Sequence, residues 1–267
     1  EPAGGPGIHW LLSVAAFGPF LAPADPDHIF SDGLEADGTP ASPSDAHVLG
    51  ADTLGRDELS RVLHGGRISL AVALSATFVA VLLGLGIGVL SGYFGGRLDG
   101  SLRFVGDVLL SLPFLLVAIA VNRVVSNPSI WVLALLLGCL SWTTMARVTR
   151  AKTLQVRELE YVQAARALGM THARILWRHV LPNVLGPAIV LGTTLVATMI
   201  IVESTMSFLG VGVQPPQSTW GTMLRDAQDM MSLAPRLVFY PGVLIVATVF
   251  GFNLLGEGLR DALDPKQ

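Results

Sequence analysis

The sequence predicts an all-α, polytopic membrane protein with six transmembrane helices, and three observations carry that prediction. Of its 267 residues, 51% are hydrophobic and only 14% are charged, against about 25% charged in an ordinary soluble domain. The apolar residues are gathered into runs long enough to cross a bilayer core of about 30 Å, which takes roughly 20 helical residues. Lysine and arginine are concentrated between two of those runs, as expected for connections held on the cytoplasmic side.

The runs come in order. Ile8 to Leu21 has no basic residue before it, and the chain has no initiator methionine. It is expected to be a shortened first span, over 1–22, of a chain trimmed at its start; a cleaved signal peptide would need a positive n-region and a soluble body behind it. Residues 23–66 are rich in Pro, Asp, Gly and Ser and predict an irregular extracytoplasmic loop, with a short helix at Asp57 to Leu63. The remaining core, 67–267, holds Ile68–Phe94, Leu102–Val125, Ile130–Met145, Val184–Leu209 and Leu237–Leu255, each expected to be one span. Arg147, Arg150, Lys152, Arg157, Arg166, Arg174 and Arg178 lie between the fourth and fifth spans and place that connection, and with it the C-terminus, in the cytoplasm.

Several functions are excluded. Seventeen basic and twenty acidic residues give a net charge of −3, so no field would gather nucleic acid. The one cysteine, Cys139, allows neither an intrachain disulfide nor a thiolate metal cluster. The only lysines, Lys152 and Lys266, do not follow glycine, so no phosphate-cradling loop is present and no nucleotide cofactor is expected on this chain. Gly84, Gly86 and Gly88 lack the third glycine of a dinucleotide fingerprint, with Val89 following. Ala80, Gly84, Gly88 and Gly92 instead form a small-residue stripe that admits a neighbouring helix. The histidines are scattered: His172 and His179 stand seven apart, not the four that a helical metal pair needs.

Two features point to function. Between Glu160 and Asn183, the residues Tyr161, Ala164, Ala165 and Leu168 recur with helical spacing and give a short apolar face. Gly169 stops that helix, Thr171 is placed to start a second, and Pro182 is expected to end it. Such a hairpin either lies at the lipid interface or docks into a protein groove, and its small alanines favour the groove. The second feature is Glu203, alone within the fifth span. A charged group there costs about 2.5–3.5 kcal/mol on insertion, so it faces protein or a wet cavity. It is a candidate pathway residue, or a buried acceptor for Ser204, Thr205 or Ser207.

At the hairpin the sequence resembles the permeases of ABC importers. Gln163-Ala164-Ala165, three residues, Gly169, nine residues and His179-Val180-Leu181-Pro182 are similar to the family's Glu-Ala-Ala loop. Gln163 stands where the family has glutamate and His179 where it has isoleucine. Leu49 to Asp57, Gly92 to Gly96, Ser207 to Pro216, and Phe252 to Gly256 continuing to Asp264-Pro265 resemble the C-type permease of the dipeptide, oligopeptide and nickel branch, from residue 49 to the end. The resemblance implies a type I importer permease fold in the inner membrane, with loop 157–183 coupling it to ATPases through Glu160, Tyr161, Gln163, Ala164, Ala165, Leu168, Gly169, Leu181 and Pro182. It also implies a second permease, two ATP-binding subunits that hold ATP and magnesium, and an extracytoplasmic solute-binding protein. Peptides are the expected solutes, with nickel or another small solute as the alternative. A secondary transporter would show repeated halves and a broken midplane helix; the sequence reads as neither.

Overall fold

A computed structural model describes residues 21–124 and 129–263. Ile8–Leu21 therefore lies, but for Leu21, outside the described residues, as do Asp264 and Pro265. Among the described residues, four helices are long and apolar enough to cross a membrane, and a fifth crossing would be a broken pair. The described elements are all helical apart from isolated bridges in the first loop.

The loop and the second span are joined earlier than expected. Helix α1 runs Glu58–Phe94 without interruption, absorbing the short helix predicted at Asp57 to Leu63. Asp57 starts it by accepting the backbone N–H and the hydroxyl of Ser60 at 2.8 and 2.7 Å. Nothing between there and Ile68 breaks it; Gly65 and Gly66 stay helical and are packed against by Met223 and Trp220. The loop ahead of α1 is ordered by ion pairs rather than by an apolar core. Asp52 accepts from Arg56 at 2.7 Å and Arg61 at 3.1 Å, while Arg236 donates to the carbonyls of Pro40 and Ala41, both at 2.8 Å.

The third predicted span is broken. Helices α2 (Gly96–Ser111) and α3 (Phe114–Val124) meet at 90°. The break has a covalent cause: Pro113 has no N–H to continue the ladder, and it forces Leu112 into extended backbone at φ −87° and ψ 140°. Helix α4 covers Ile130–Arg157, longer than its apolar run because the basic segment stays helical past the apolar stretch. It crosses α1 at the small-residue stripe. Thr149 Oγ1 lies 3.1 Å from the carbonyl of Gly84 across the interface and 2.8 Å from that of Met145 on its own helix, an approach open because α1 carries no Cβ at Gly84 and Gly88.

Two short helices, α5 (Glu160–Ala167) and α6 (His172–Ile175), form the predicted hairpin. Helix α7 (Leu181–Phe208) follows, then α8 (Trp220–Asp226) and α9 (Arg236–Leu263). Pro182 does not end the second arm. One turn of π-helix, Leu176–Val180, carries α6 directly into α7, so that His172–Phe208 is one rod of 37 residues. Proline is tolerated because it falls in the first turn of α7, where the wide turn has already released the preceding carbonyls. Asn183 recovers one of them, donating Nδ2 to the carbonyl of His179 at 2.6 Å. The main apolar core lies between α1, α4 and α7, around Leu70, Leu137, Ile200 and Met206.

Candidate functional site: the hairpin and the Glu203 cage

The hairpin is fixed to the bundle by a small core of its own. Val162, Ile175, Val180 and Val184 are fully buried beneath Val89 and Tyr93 of α1 and Val156 of α4. Gly169 makes the turn. Its φ of +80° is the left-handed conformation that glycine adopts without steric cost. Gly169 N–H then donates to the carbonyl of Arg166 at 3.0 Å, and Met170 N–H to that of Ala165 at 3.1 Å, the paired bonds of a Schellman stop. Thr171 takes the starting position of α6, but its hydroxyl makes no cap. Instead His172 Nδ1 lies 2.9 Å from the Tyr93 hydroxyl, and the Arg166 guanidinium sits 5.3 Å over the Tyr93 ring.

The apolar face read from the sequence divides in two. Ala165 is buried against the bundle with Val162, whereas Tyr161, Ala164 and Leu168 are exposed. Leu168, at the tip, is 88% exposed, and Trp177 on the second arm 73%. An eight-residue helix that is apolar on both sides does not disclose by spacing which side faces its own chain. Spacing therefore does not single out Val162; Trp177 lies in the π turn, where its signal is an aromatic next to Arg178 and His179. Gln163, in the glutamate position, donates Nε2 to Glu158 at 3.2 Å, and Glu158 accepts from Arg157 Nε at 2.9 Å. Glu160 is exposed, Leu181 half-buried and Pro182 exposed. Tyr161 joins the two arms by accepting from Asn183 Nδ2 at 3.2 Å.

Glu203 is far from this hairpin and has no solvent exposure. Ser207 donates to its carboxyl at 2.7 Å and Ser204 stands at 3.5 Å, while the hydroxyls of Ser69 and Thr219 also face it. The cage therefore joins α1, α7 and the segment before α8. That segment is tucked in tightly: Trp220 N–H donates to Ser69 Oγ at 3.2 Å and its indole to the carbonyl of Val62 at 3.1 Å. A Cβ on Gly221 would collide with the Ser204 backbone. Asn122 reaches from α3 to the carbonyl of Val211. Asp107 of α2 meets Arg147 of α4 at 3.2 Å in the open.

Comparison with known proteins fits this geometry. A family model described as "binding-protein-dependent transport system inner membrane component" matches residues 84–267. The chain belongs to that family. This permease is 38% identical over 256 residues to the glutathione transport system permease protein of Pectobacterium atrosepticum, covering 96% of this chain and 83% of that one. It is 43% identical over 208 residues to the oligopeptide transport system permease protein of Escherichia coli K12, covering 78% and 68%. A chain of the MetNI methionine ABC transporter, solved in inward-facing conformations, superposes with a TM-score of 0.62 at 20% identity, over 76% of the permease and 96% of that chain. The likeness extends to the fold alone. The permease is thus a multi-pass inner-membrane subunit of a binding-protein-dependent importer, a non-catalytic component that works with other transporter subunits.

Proposed function

We propose that the permease forms half of the translocation path of an ATP-driven importer for di- or oligopeptides, and that its hairpin receives motion from an ATPase. The other half of the path is a second, homologous permease. Two ATP-binding subunits holding ATP and magnesium sit in the cytoplasm, and a solute-binding protein delivers the solute from outside. The observation that carries this reading is the construction of the hairpin. One face is locked into the bundle by Val162, Ala165 and Ile175, while Tyr161, Leu168 and Trp177 offer an uncovered apolar surface of the kind that seats in a partner's groove. The seven basic residues around it support a cytoplasmic position, and the C-terminus follows. The peptide class is supported by relatives whose names give oligopeptide, di/tripeptide and glutathione transport. Glu203 serves in this reading as the acceptor at the centre of a hydroxyl cage, joining α7 to the segment before α8.

Leu168→Asp tests the proposal. The side chain is exposed in the permease, so insertion and thermal stability should be unchanged. In a reconstituted complex the charge would be buried unpaired in the ATPase groove. Stimulation of ATP hydrolysis by loaded solute-binding protein and transport should be lost together. Wild-type stimulation and uptake, in complexes containing every subunit, would refute the hairpin's role.

A further inference from the structure

Membrane helices disclose their surroundings by what they expose. Helix α1 exposes Leu74, Phe78, Leu82 and Leu90, and α9 exposes Phe239, Val243, Val246 and Phe250. Both faces suit acyl chains. The face shared by α4 and α7 mixes apolar side chains, Leu140 and Leu195 among them, with hydroxyls. Ser141 and Thr144 of α4 and Thr198 of α7 line one cleft, and one helical turn further along α7, Thr194 lines a second. The two have volumes of about 180 and 570 Å³. The larger opens beside the hairpin, where Lys152 of α4 and Arg260 of α9 border it and no acidic side chain does. Neither cation makes an ion pair among the described residues.

The hydroxyls alone would be compatible with lipid, because each can donate to its own helix; Ser141 does so to Leu137 at 2.7 Å and Thr198 to Thr194 at 3.1 Å. The cytoplasmic end of the same track also carries Lys152 and Arg260, cations of the kind the positive-inside rule places there, and with no ion-pair partner among the described residues they leave an arriving anion free to bind. An amide-bearing solute can exchange hydrogen bonds with a row of hydroxyls one at a time, a set of contacts weak enough to leave as well as to enter. A carboxylate arriving between Lys152 and Arg260 would gain charge-assisted hydrogen bonds.

We infer that the α4–α7 face, from Ser141 and Thr198 past Thr194 to Lys152 and Arg260, is this chain's wall of the substrate path, and that the two cations receive the carboxylate of a small peptide. The inference rests on the import reading above and puts the wall on a different face from the Glu203 cage. It also puts the solute next to Asn183, whose amide bonds to Tyr161 of the hairpin, so the mouth of the path and the coupling element share a side chain. Gly186, where an added Cβ would meet nothing within 4 Å, leaves the cleft open at that point.

The test uses the complete transporter in phosphatidylcholine vesicles, with tri-alanine as the probe. Lys152→Gln combined with Arg260→Gln should lower ATP-dependent uptake about tenfold, the scale of one charge-assisted contact. Lys152→Arg with Arg260→Lys should retain it. Gly186→Trp should block uptake while leaving assembly intact. In a Cys139→Ala background, Thr198→Cys should react with a water-soluble maleimide and be protected by loaded binding protein, whereas Val246→Cys stays inert. Wild-type uptake in the doubly neutralised variant, or a Thr198→Cys as inert as Val246→Cys, overturns the inference. So does a loss of uptake confined to vesicles containing phosphatidylglycerol, which would assign the cations to lipid headgroups. A wild-type complex that hydrolyses ATP but imports no tri-alanine would refute the peptide reading instead, and the labelling contrast would still decide the wall.

Discussion

Gly88 offers the sharpest test of how the bundle is held. In the structure α1 and α4 touch backbone to backbone at this residue: a Cβ placed there would lie 2.5 Å from the carbonyl oxygen of Ala146, where ordinary contact begins at 3.4 Å. In Gly88→Ala the helices must separate locally by about 0.9 Å to restore ordinary contact. The same Cβ strikes Thr149 Oγ1, whose one proton still has the carbonyl of Met145 on its own helix, at 2.8 Å, as acceptor. Overpacking of this kind costs about 1–3 kcal/mol, and alanine's helix preference returns about 1 kcal/mol. The net expectation is destabilisation by up to about 2 kcal/mol. Gly86 lies on another face of the same helix, where an added Cβ would meet nothing within 4 Å, and Gly86→Ala should be neutral or stabilising by up to about 1 kcal/mol. Reversible unfolding of both variants in mixed micelles measures the contrast. Equal stability of the two would refute the close-approach reading of the stripe.

Three further outcomes are expected. Asp99 accepts two bonds from Arg150, at 2.5 and 2.6 Å, and one from Ser91 at 2.5 Å; Asp99→Asn should cost about 2 kcal/mol, less than a fully buried pair because Arg150 keeps some solvent access, read as a lowered midpoint in the same unfolding assay. Arg236→Ala removes both bonds to Pro40 and Ala41 and should make residues 33–50 sensitive to limited proteolysis while the spans resist; an unchanged cleavage pattern would mean that the loop is held otherwise. A cysteine at Met170 should be protected from an impermeant thiol reagent in intact cells, and one at Gln217 should react, in both cases with Cys139 replaced; the reverse pattern, with permeabilised controls, would invert the orientation.

Much of the fold was legible because bilayer physics writes itself in long apolar runs: the runs from Ile68, Ile130, Val184 and Leu237 all became helices. Their ends were less legible. Nothing apolar marks Glu58 as a helix start; its signal is the capping carboxyl of Asp57, which reads equally well as a loop acid. The break after Leu112 was written in Pro113, but a continuous apolar run concealed it. Pro182 misled in the opposite sense, since a proline in a first helical turn and one after a last turn are the same letter. At the candidate site, Gly169 was readable from local geometry. The Glu203 cage was not, because Ser69 and Thr219 reach it from elements that only tertiary packing brings together.

The π turn at Leu176–Val180 also sets an angular phase. A residue of α-helix turns through about 100°, and a π turn is in effect one residue inserted into the spiral. Whatever points outward at Leu168 and Trp177 is therefore oriented, relative to Thr194 and Glu203, by that one inserted residue. A related chain that gained or lost a residue within these five would turn the hairpin relative to α7, and would have to rebuild the contacts of Val162, Ile175 and Val180 beneath α1 and α4 to present the tip in its new direction. The rod is about 55 Å long at 1.5 Å per residue, so a small rotation at one end of it becomes a change of facing at the other, with no hinge required between them.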